Sequence, residues 1–526
     1  MKLLIQTVLA IGLGSCAALL AQDKPPAISD PKPILPGRPD SADPPGASDL
    51  LGDRFESLSA GISFRAPAGC REIRRAAGDE IVQYVNDQKR WVLRVSRLAL
   101  SAPLPLLKHK DKDGHDVNGL IEETSDRIKL QTPAAEILRQ DIVHIGQTDV
   151  GLIAARYTVG VDTNLTQQAL IRATDSLYYI LDLTVTAPRE GDIAEDPGVR
   201  LAVDTFNQVL DSVKILDQSE IRDEQNQRLY RTRTLFVNLT EPRLKNALVK
   251  EQWLRFIRDG KDIGYSYIVQ ETAHDLPRAG KRQAAQGGAD GILVGVRSRT
   301  MPDAGVKVDA ESWMWMSVDR KHEKWSNVAL IETPGGARET LGDFGSTDAE
   351  IKNVLDQNLL PGEKLGPGEK DVDKNQPPVR PTEVYTLNVT SVGKSKGGPP
   401  VTRQLPPWYM PQALGQIMPG LLSQFSQKTY LFATFVSDRR EVMMRYIDVL
   451  PEQQVDLEGR PTRAIPVKDR IGLEGSVTTH YFSREGKFLG SVNPDQKIVI
   501  LPTDAAALTQ LWQNADLSRP KDVPDR

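Results

Sequence analysis

Residues 177–188 read LYYILDLTVTAP. Leu177, Tyr179, Leu181, Leu183 and Val185 alternate with Asp182, Thr184 and Thr186, the two-residue period of a strand with one buried face. Upstream, residues 152–159 and 167–173 have the same character, so three strands run in succession. Earlier still, 61–67 (GISFRAP) reads as a first strand, and 80–85 with 90–98 as a hairpin pair. Downstream, Asp196-Pro197 opens a helix, with Asp as N-cap and Pro in the first turn. Val199, Val203, Phe206, Leu210 and Val213 line one face of it at helical spacing.

This order is an early GISFRAP strand, a hairpin, a helical middle, LYYILDLTVTAP and a closing helix that ends in FNQVLDSVKIL. Over about residues 55–217 it resembles the PsbP-like superfamily. The resemblance implies an antiparallel sheet sandwiched by helices and an accessory or binding role, and it brings no catalytic motif to transfer. The expected class is therefore α+β, a PsbP-like sandwich at 54–217 followed by a larger antiparallel-sheet-rich domain with a few helices.

That second region, 225–515, begins with strands at 252–258 and 261–270 joined by Asp259-Gly260, a pair suited to a tight hairpin. Residues 291–300, 311–318 and 324–331 continue the sheet. A polar stretch rich in Gly, Pro, Lys and Asp, 335–381, reads as a mobile insertion. Strands resume at 384–390, a helix is expected at 411–425, and five more strands occupy 429–436, 441–449, 476–482, 487–492 and 497–501. A short helix near 504–512 precedes a tail at 516–526. The segment FIRDGKDIG (256–264) is echoed by FSREGKFLG (482–490), either a duplicated half-sheet or simply two good turns. In outline the region resembles the LolA-like lipoprotein carriers and the sheet domains before some exported transglutaminase-like proteins, with no residue-level motif.

The first 22 residues have the layout of a bacterial export signal: a basic start, an apolar run from Leu3 to Leu13, then small residues. Two readings stay open. Leu13-Gly14-Ser15-Cys16 fits a lipobox, which would lipidate Cys16 and tether the protein to a membrane. Cleavage after Ala21 would instead release a soluble chain starting at Gln22. Residues 22–53 are rich in proline and read as a disordered tether. With two cysteines in the chain, losing Cys16 leaves Cys70 without an internal disulfide partner. The net charge of −4 gives no basic excess for nucleic acid.

Catalytic signatures are missing. The sequence has no Gly-x-Ser-x-Gly elbow, and no histidines stand at i, i+4 among His109, His115, His144, His274, His322 and His480. His322-Glu323-Lys324-Trp325-Ser326 has Ser where a zincin needs its second ligand. The acidic loop at 111–116 puts His109 and Leu120 at the outer ligand positions of an EF-hand register, which spoils it. Gly393-Lys394-Ser395 lacks the first P-loop glycine. His480, on a strand with Ser476, Thr478 and Phe482, is either a binding histidine or one satisfied within the sheet. No metal or cofactor is expected, and an enzyme is not the expected reading, a hydrolase without a recognisable motif, resting on His480 and scattered carboxylates, being the further alternative.

What remains is apolar. Trp313, Met314, Trp315 and Met316 are consecutive, so two tryptophans share one strand face and two methionines the other. Leu414, Ile417, Met418, Leu421, Leu422 and Phe425 make one helix face, kinked at Pro419-Gly420. Ligand-binding candidates are Trp313, Trp315, Met314, Met316, Leu414, Met418 and Leu421. The expectation is an exported cell-envelope protein binding an apolar small molecule or lipid, or else envelope proteins as an assembly factor.

Overall fold

The computed structural model describes residues 50–511 except 74–78, 89, 101, 111–113, 146–147, 160–161, 188–195, 278–289, 302–304, 356–378, 394–400, 425–427, 438–439 and 458. The export signal, Cys16, nearly all of the tether, and the tail lie outside the described residues. The chain divides into two units. Among the described residues, one takes the chain up to Gln227 together with Ile471–Ser476; the other takes Arg228–Arg470 and the chain from Val477 onward.

The smaller unit contains β1 Leu51–Ser57, β2 Ile62–Pro67, β3 Arg71–Ile73, β4 Glu80–Asn86, β5 Trp91–Ala99, β6 His109–Lys110 and β7 Asp116–Val117. It continues with α1 Leu120–Gln131, β8 Glu136–Ile145, β9 Thr148–Val159, β10 Asp162–Thr174, β11 Leu177–Ala187, α2 Pro197–Asp211 and β12 Lys214–Ile215. A seven-stranded antiparallel sheet has the order β3-β4-β5-β11-β10-β9-β8. Neighbouring residues on β11 point to opposite faces. Tyr178 packs with Leu170, Ile153 and the α1 residues Leu120 and Ile121. Tyr179 turns the other way and donates its hydroxyl to the carbonyls of Ala60 and Gly61. On that side lie α2, against β11 and β2, and the small sheet β1-β2-β12. The Asp196 carboxylate caps α2 by accepting from Val199 N–H at 2.8 Å. Glu474, in the returning segment, accepts from the hydroxyls of Ser57 and Ser59.

These arrangements correct the expected fold class. The protein is dominated by antiparallel sheet, with 27 strands against six helices among the described residues, and is not an α+β sandwich built by flanking helices. One layer of the smaller unit is itself partly sheet. The physical cause is the two-residue alternation and short hairpin turns that fill most of the chain, leaving few stretches long enough for a helix.

Helix α3, Gln218–Asn238, carries the chain from one unit into the next, followed by α4, Glu241–Asn246. The larger unit then forms β13 Glu251–Arg258, β14 Lys261–Ala273, β15 Gly291–Thr300, β16 Lys307–Ser317, β17 His322–Glu332, β18 Arg338–Leu355, β19 Val379–Gly393 and β20 Val401–Leu405. After α5, Gln412–Ser423, come β21 Thr429–Val436, β22 Glu441–Val449, β23 Gln453–Leu457, β24 Arg460–Ile471, β25 Val477–Phe482, β26 Phe488–Asn493, β27 Ile498–Thr503 and α6 Ala505–Leu511. Arg338–Leu355, read from sequence as part of an insertion, is a long strand paired with β17 and β19. Asp259 and Gly260 both have positive φ, at 49° and 72°, as the tight β13–β14 turn requires.

The sheet runs from β20 through β19, β18, β17, β16, β15, β14, β13, β27, β26, β25, β24 and β22 to β21. The outer edge of β21 is not left open. Met410 N–H donates to the Ala433 carbonyl at 2.7 Å and Ala433 N–H to the Trp408 carbonyl at 3.1 Å. Leu431 N–H donates to the Thr232 hydroxyl of α3, and the Gln412 side chain donates to the Phe435 carbonyl. The segment that follows β20 thus forms a seam along β21, which blocks strand addition there.

Candidate functional site

Helix α5 sits against one face of this sheet, touching β15, β16 and β17 as well as β21, β22 and β25. Nine of its twelve residues are buried: Ala413, Leu414, Gly415, Ile417, Met418, Pro419, Leu421, Leu422 and Ser423. Such all-round burial is unusual for a helix in a soluble fold, where one face normally meets water. The helix is surrounded on both sides by the curled sheet.

The structure separates the candidates named from sequence into two groups. Met314 and Met316 join Leu414, Met418 and Leu421 in one core cluster. Trp313 and Trp315 lie on the other face of β16, with Leu293, Ala273 and Leu276. Trp315 donates its indole N–H to the Ala273 carbonyl at 2.9 Å, and Arg297 stacks over Trp313 at 5.5 Å. Strand alternation already implied this separation; one pocket could not use both pairs.

Two polar anchors hold α5, and neither was recognised in the sequence. At its start, Glu323 of β17 accepts from the Tyr409 hydroxyl at 2.7 Å and from Gln412 N–H at 2.8 Å. Thr347 of β18 adds a third hydrogen bond. Glu323 is 1% exposed. Burial raises its carboxyl to about 7 despite these hydrogen bonds. Burial and the neighbouring Glu323 push the Tyr409 hydroxyl well above its ordinary value, so it stays protonated and donates.

The second anchor answers the proline. Pro419 has no N–H, so the Gly415 carbonyl four residues earlier loses its helical donor. Arg445 of β22 supplies one, with Nη2 at 3.3 Å from that oxygen. A Cβ on Gly415 would lie 3.0 Å from the other guanidinium nitrogen, so glycine gives Arg445 room. Arg445 is in turn fixed by Asp469 of β24, with Nε 2.8 Å from Oδ1 and Nη2 on Oδ2. Burial pushes the Asp469 carboxyl up, but Arg445, and then the nearby His480, reverse this and hold it below the usual carboxylate range.

His480 lies 3.7 Å by Nε2 from Asp469, while its Nδ1 is 3.1 Å from the Ser491 hydroxyl on β26. The order Asp–His–Ser matches a nucleophilic triad in residue type alone. Ser491 is 0% exposed and His480 2%, so neither can meet a substrate in this conformation, and Asp469 is already committed to Arg445. A third buried acid, Asp343 of β18, accepts from Trp325 Nε1 at 2.6 Å, from Asn327 and from Ser437. Burial raises it above its ordinary value. Among the described residues no group of three or more His, Cys, Asp or Glu side chains could hold a metal. No helix among them is long and apolar enough to cross a membrane.

No family model matches this chain, and no curated protein is similar to it. Among solved structures it is similar to cyanobacterial PsbP (CyanoP) from Synechocystis sp. PCC 6803, at 14% identity and a TM-score of 0.24, over 33% of this chain and 98% of that one. It is also similar to a β-barrel-like protein of domain of unknown function DUF1849 from Brucella abortus, at 14% identity and a TM-score of 0.28, over 48% of this chain and 93% of that one. PsbP is among the proteins this chain resembles, as the sequence reading expected. Neither likeness bears on activity.

Proposed function

We propose that this chain is an exported, non-enzymatic binding module of the cell envelope, and that its larger unit receives an apolar ligand or partner in the sheet interior that α5 fills. The observation that carries this reading is the burial of α5 on nearly every side, against Met314, Met316 and the strands opposite. A twelve-residue helix is about 18 Å long, so the sheet encloses an apolar rod of that size. The export part of the proposal rests on residues 1–22.

The test is native mass spectrometry of the chain from Gln22 onward, with organic extraction of whatever co-purifies. A stoichiometric apolar adduct is expected, and Met316→Ala should reduce its retention while Trp315→Ala, on the other face, leaves it unchanged. Equal losses from both variants would remove the interior as the seat. A bare mass would favour the second reading, assembly with other envelope proteins. That reading draws on β8, an edge strand of the smaller unit with a bulge and with Leu138 49% exposed.

A further inference from the structure

We propose that β8 pairs with β8 of a second copy of this chain, antiparallel and two-fold about Gln140, so that the seven-stranded sheets of two copies join into one. The proposal rests on the assembly reading above for its surface, the β8 edge, and does not depend on an apolar ligand.

Sheet edges elsewhere in the molecule are covered or short. The seam covers β21, while β3 has three residues and β20 five, which offers little to pair with. In contrast, β8 runs for ten residues, about 33 Å. Among the described residues it pairs with β9 and with no other strand. Its outer row of N–H and C=O groups is therefore open to an added strand.

Exposed aliphatic side chains accompany this edge. Leu107, Val117, Leu130 and Leu138 are exposed, and all come from the short stretch of chain that forms β6, β7, α1 and β8. Gln140 of β8 donates to the Ser125 hydroxyl of α1 at 2.6 Å, so helix and edge are neighbours. An open edge flanked by exposed hydrophobes suits another protein strand better than a small molecule.

The sequence of β8 says which protein. It reads EILRQDIVHI, with Arg139 and Asp141 on either side of Gln140. Strand alternation puts both on one face, where Arg139 Nε meets Asp141 Oδ2 at 2.8 Å and each side chain is 45% exposed. An antiparallel copy centred on Gln140 sets Arg139 opposite the partner's Asp141, and Asp141 opposite the partner's Arg139. The four side chains then alternate in sign around a ring. Centring the same strands on Arg139 or on Asp141 would put like charges face to face, and a parallel pair in register would do so at both positions. Centring on Ile142 would set Asp141 against Val143 and Arg139 against Ile145, leaving both charges opposite aliphatic side chains.

The bulge between Ile137 and Arg139 fits the Gln140 register. It adds one residue ahead of Arg139, so Ile137 and Leu138 together face the partner's Ile142, an apolar contact at each end of the charged centre. Exposed ion pairs add little affinity. Their part is to fix the register, because every alternative penalises them, while main-chain hydrogen bonds and aliphatic contacts hold the copies together. A two-fold pair uses the same edge of both copies, so association closes at a dimer.

Sedimentation equilibrium of the chain from Gln22 onward, over a micromolar concentration series, should show a reversible monomer–dimer equilibrium. Arg139→Asp and Asp141→Arg each set like charges opposite one another and should weaken it by about tenfold or more. Mixed together, the two variants are complementary again, acids at both positions of one facing arginines at both positions of the other. The mixture should recover the native affinity as a heterodimer. Gln140→Cys should give a disulfide-linked dimer on mild oxidation. The native Cys70, just ahead of β3 at the opposite edge of the sheet, should not. A dimer that neither charge variant weakens, or a mixture that does not associate, would overturn the register. A chain that stays monomeric across the series would overturn the second copy as occupant. In that case hydrogen exchange separates the two claims: β8 amides that exchange freely leave the edge open to a different protein, whereas protected β8 amides in a monomer would remove the assembly reading as well.

Discussion

Arg445→Ala is expected to lower the unfolding free energy of the larger unit by about 3–5 kcal/mol, because it strands a buried carboxylate. Arg445 and Asp469 are both almost completely enclosed. Truncation removes the bidentate partner of Asp469 and also the donor that replaces the missing Pro419 N–H at Gly415. The loss should depend on pH in a definite direction. In the native chain Asp469 is held low, so its contribution is present above about 3.8 and fades as acid protonates it. In the variant, burial acts without the guanidinium and the carboxyl moves up, so the ionised form becomes the costly one. The deficit should be largest at pH 7 and should narrow towards pH 4. Urea melts at both values measure it; a loss below about 1 kcal/mol, or one of equal size at both pH values, would refute the account. The double change Arg445→Met with Asp469→Leu should recover most of the stability, since an apolar pair avoids the desolvation cost. It should not restore the hydrogen bond to Gly415, so α5 amide protection should stay low even where global stability returns. That split would identify the ion pair as a docking device for a broken helix, more than a source of stability.

Much of the strand pattern could be read directly, because a two-residue period marks burial on one face whatever the tertiary context. Residues 177–187 and 261–270 are of this kind. The reading failed where a neighbour supplies the apolar mass. On β18 the inward row is Leu341, Asp343, Gly345 and Thr347, facing Ala329, Asn327, Trp325 and Glu323 across the pair. Only Leu341 in that row is a large hydrophobe, so the strand looks like a polar insertion. The indole of Trp325 covers Gly345 and completes the surface. The first unit misled in a similar way: β1 (LGDRFES) and the two-residue β12 carry little alternation, yet with β2 they build a sheet layer over one face. The anchors of α5 did leave a trace. Glu323 shares its strand parity with Trp325 and Ala329, and Arg445 shares its own with Ile447 and Val449. A charge at an inward position, facing a helix with a proline inside it, signals a buried polar contact. Its partner could not be named, because the contact joins residues such as Arg445 and Gly415 through the fold and not through spacing.

Trp325→Ala should be the most damaging apolar truncation in the larger unit, at about 3–5 kcal/mol. The side chain is 1% exposed and packs against Phe435 with ring centroids 5.6 Å apart. Its pairing with Gly345 makes a sharper test. A Cβ built on Gly345 falls 1.9 Å from the indole, and strand backbone cannot move away cheaply. Gly345→Val alone should therefore destabilise by roughly 1–3 kcal/mol or more. In the Trp325→Ala background the same change should instead stabilise, because the valine enters space the indole has vacated. A double-mutant cycle with a favourable coupling above about 1 kcal/mol is the expected result; simple additivity would mean that the ring does not stand in for the missing side chain. The cycle also has a pH signature. Losing Trp325 Nε1–H takes a donor from Asp343, whose buried carboxyl is already raised, and raises it further. A raised acid costs stability as pH climbs from about 3.8 through its folded value, so the deficit of Trp325→Ala should grow as pH rises across that window. Trp325→Phe keeps most of the packing and lacks the N–H, so it should show this pH dependence with a smaller loss at its acid end. If Trp325→Phe tracked the native chain at every pH, the indole would matter only as volume, and Asp343 would be satisfied by Asn327 and Ser437 alone.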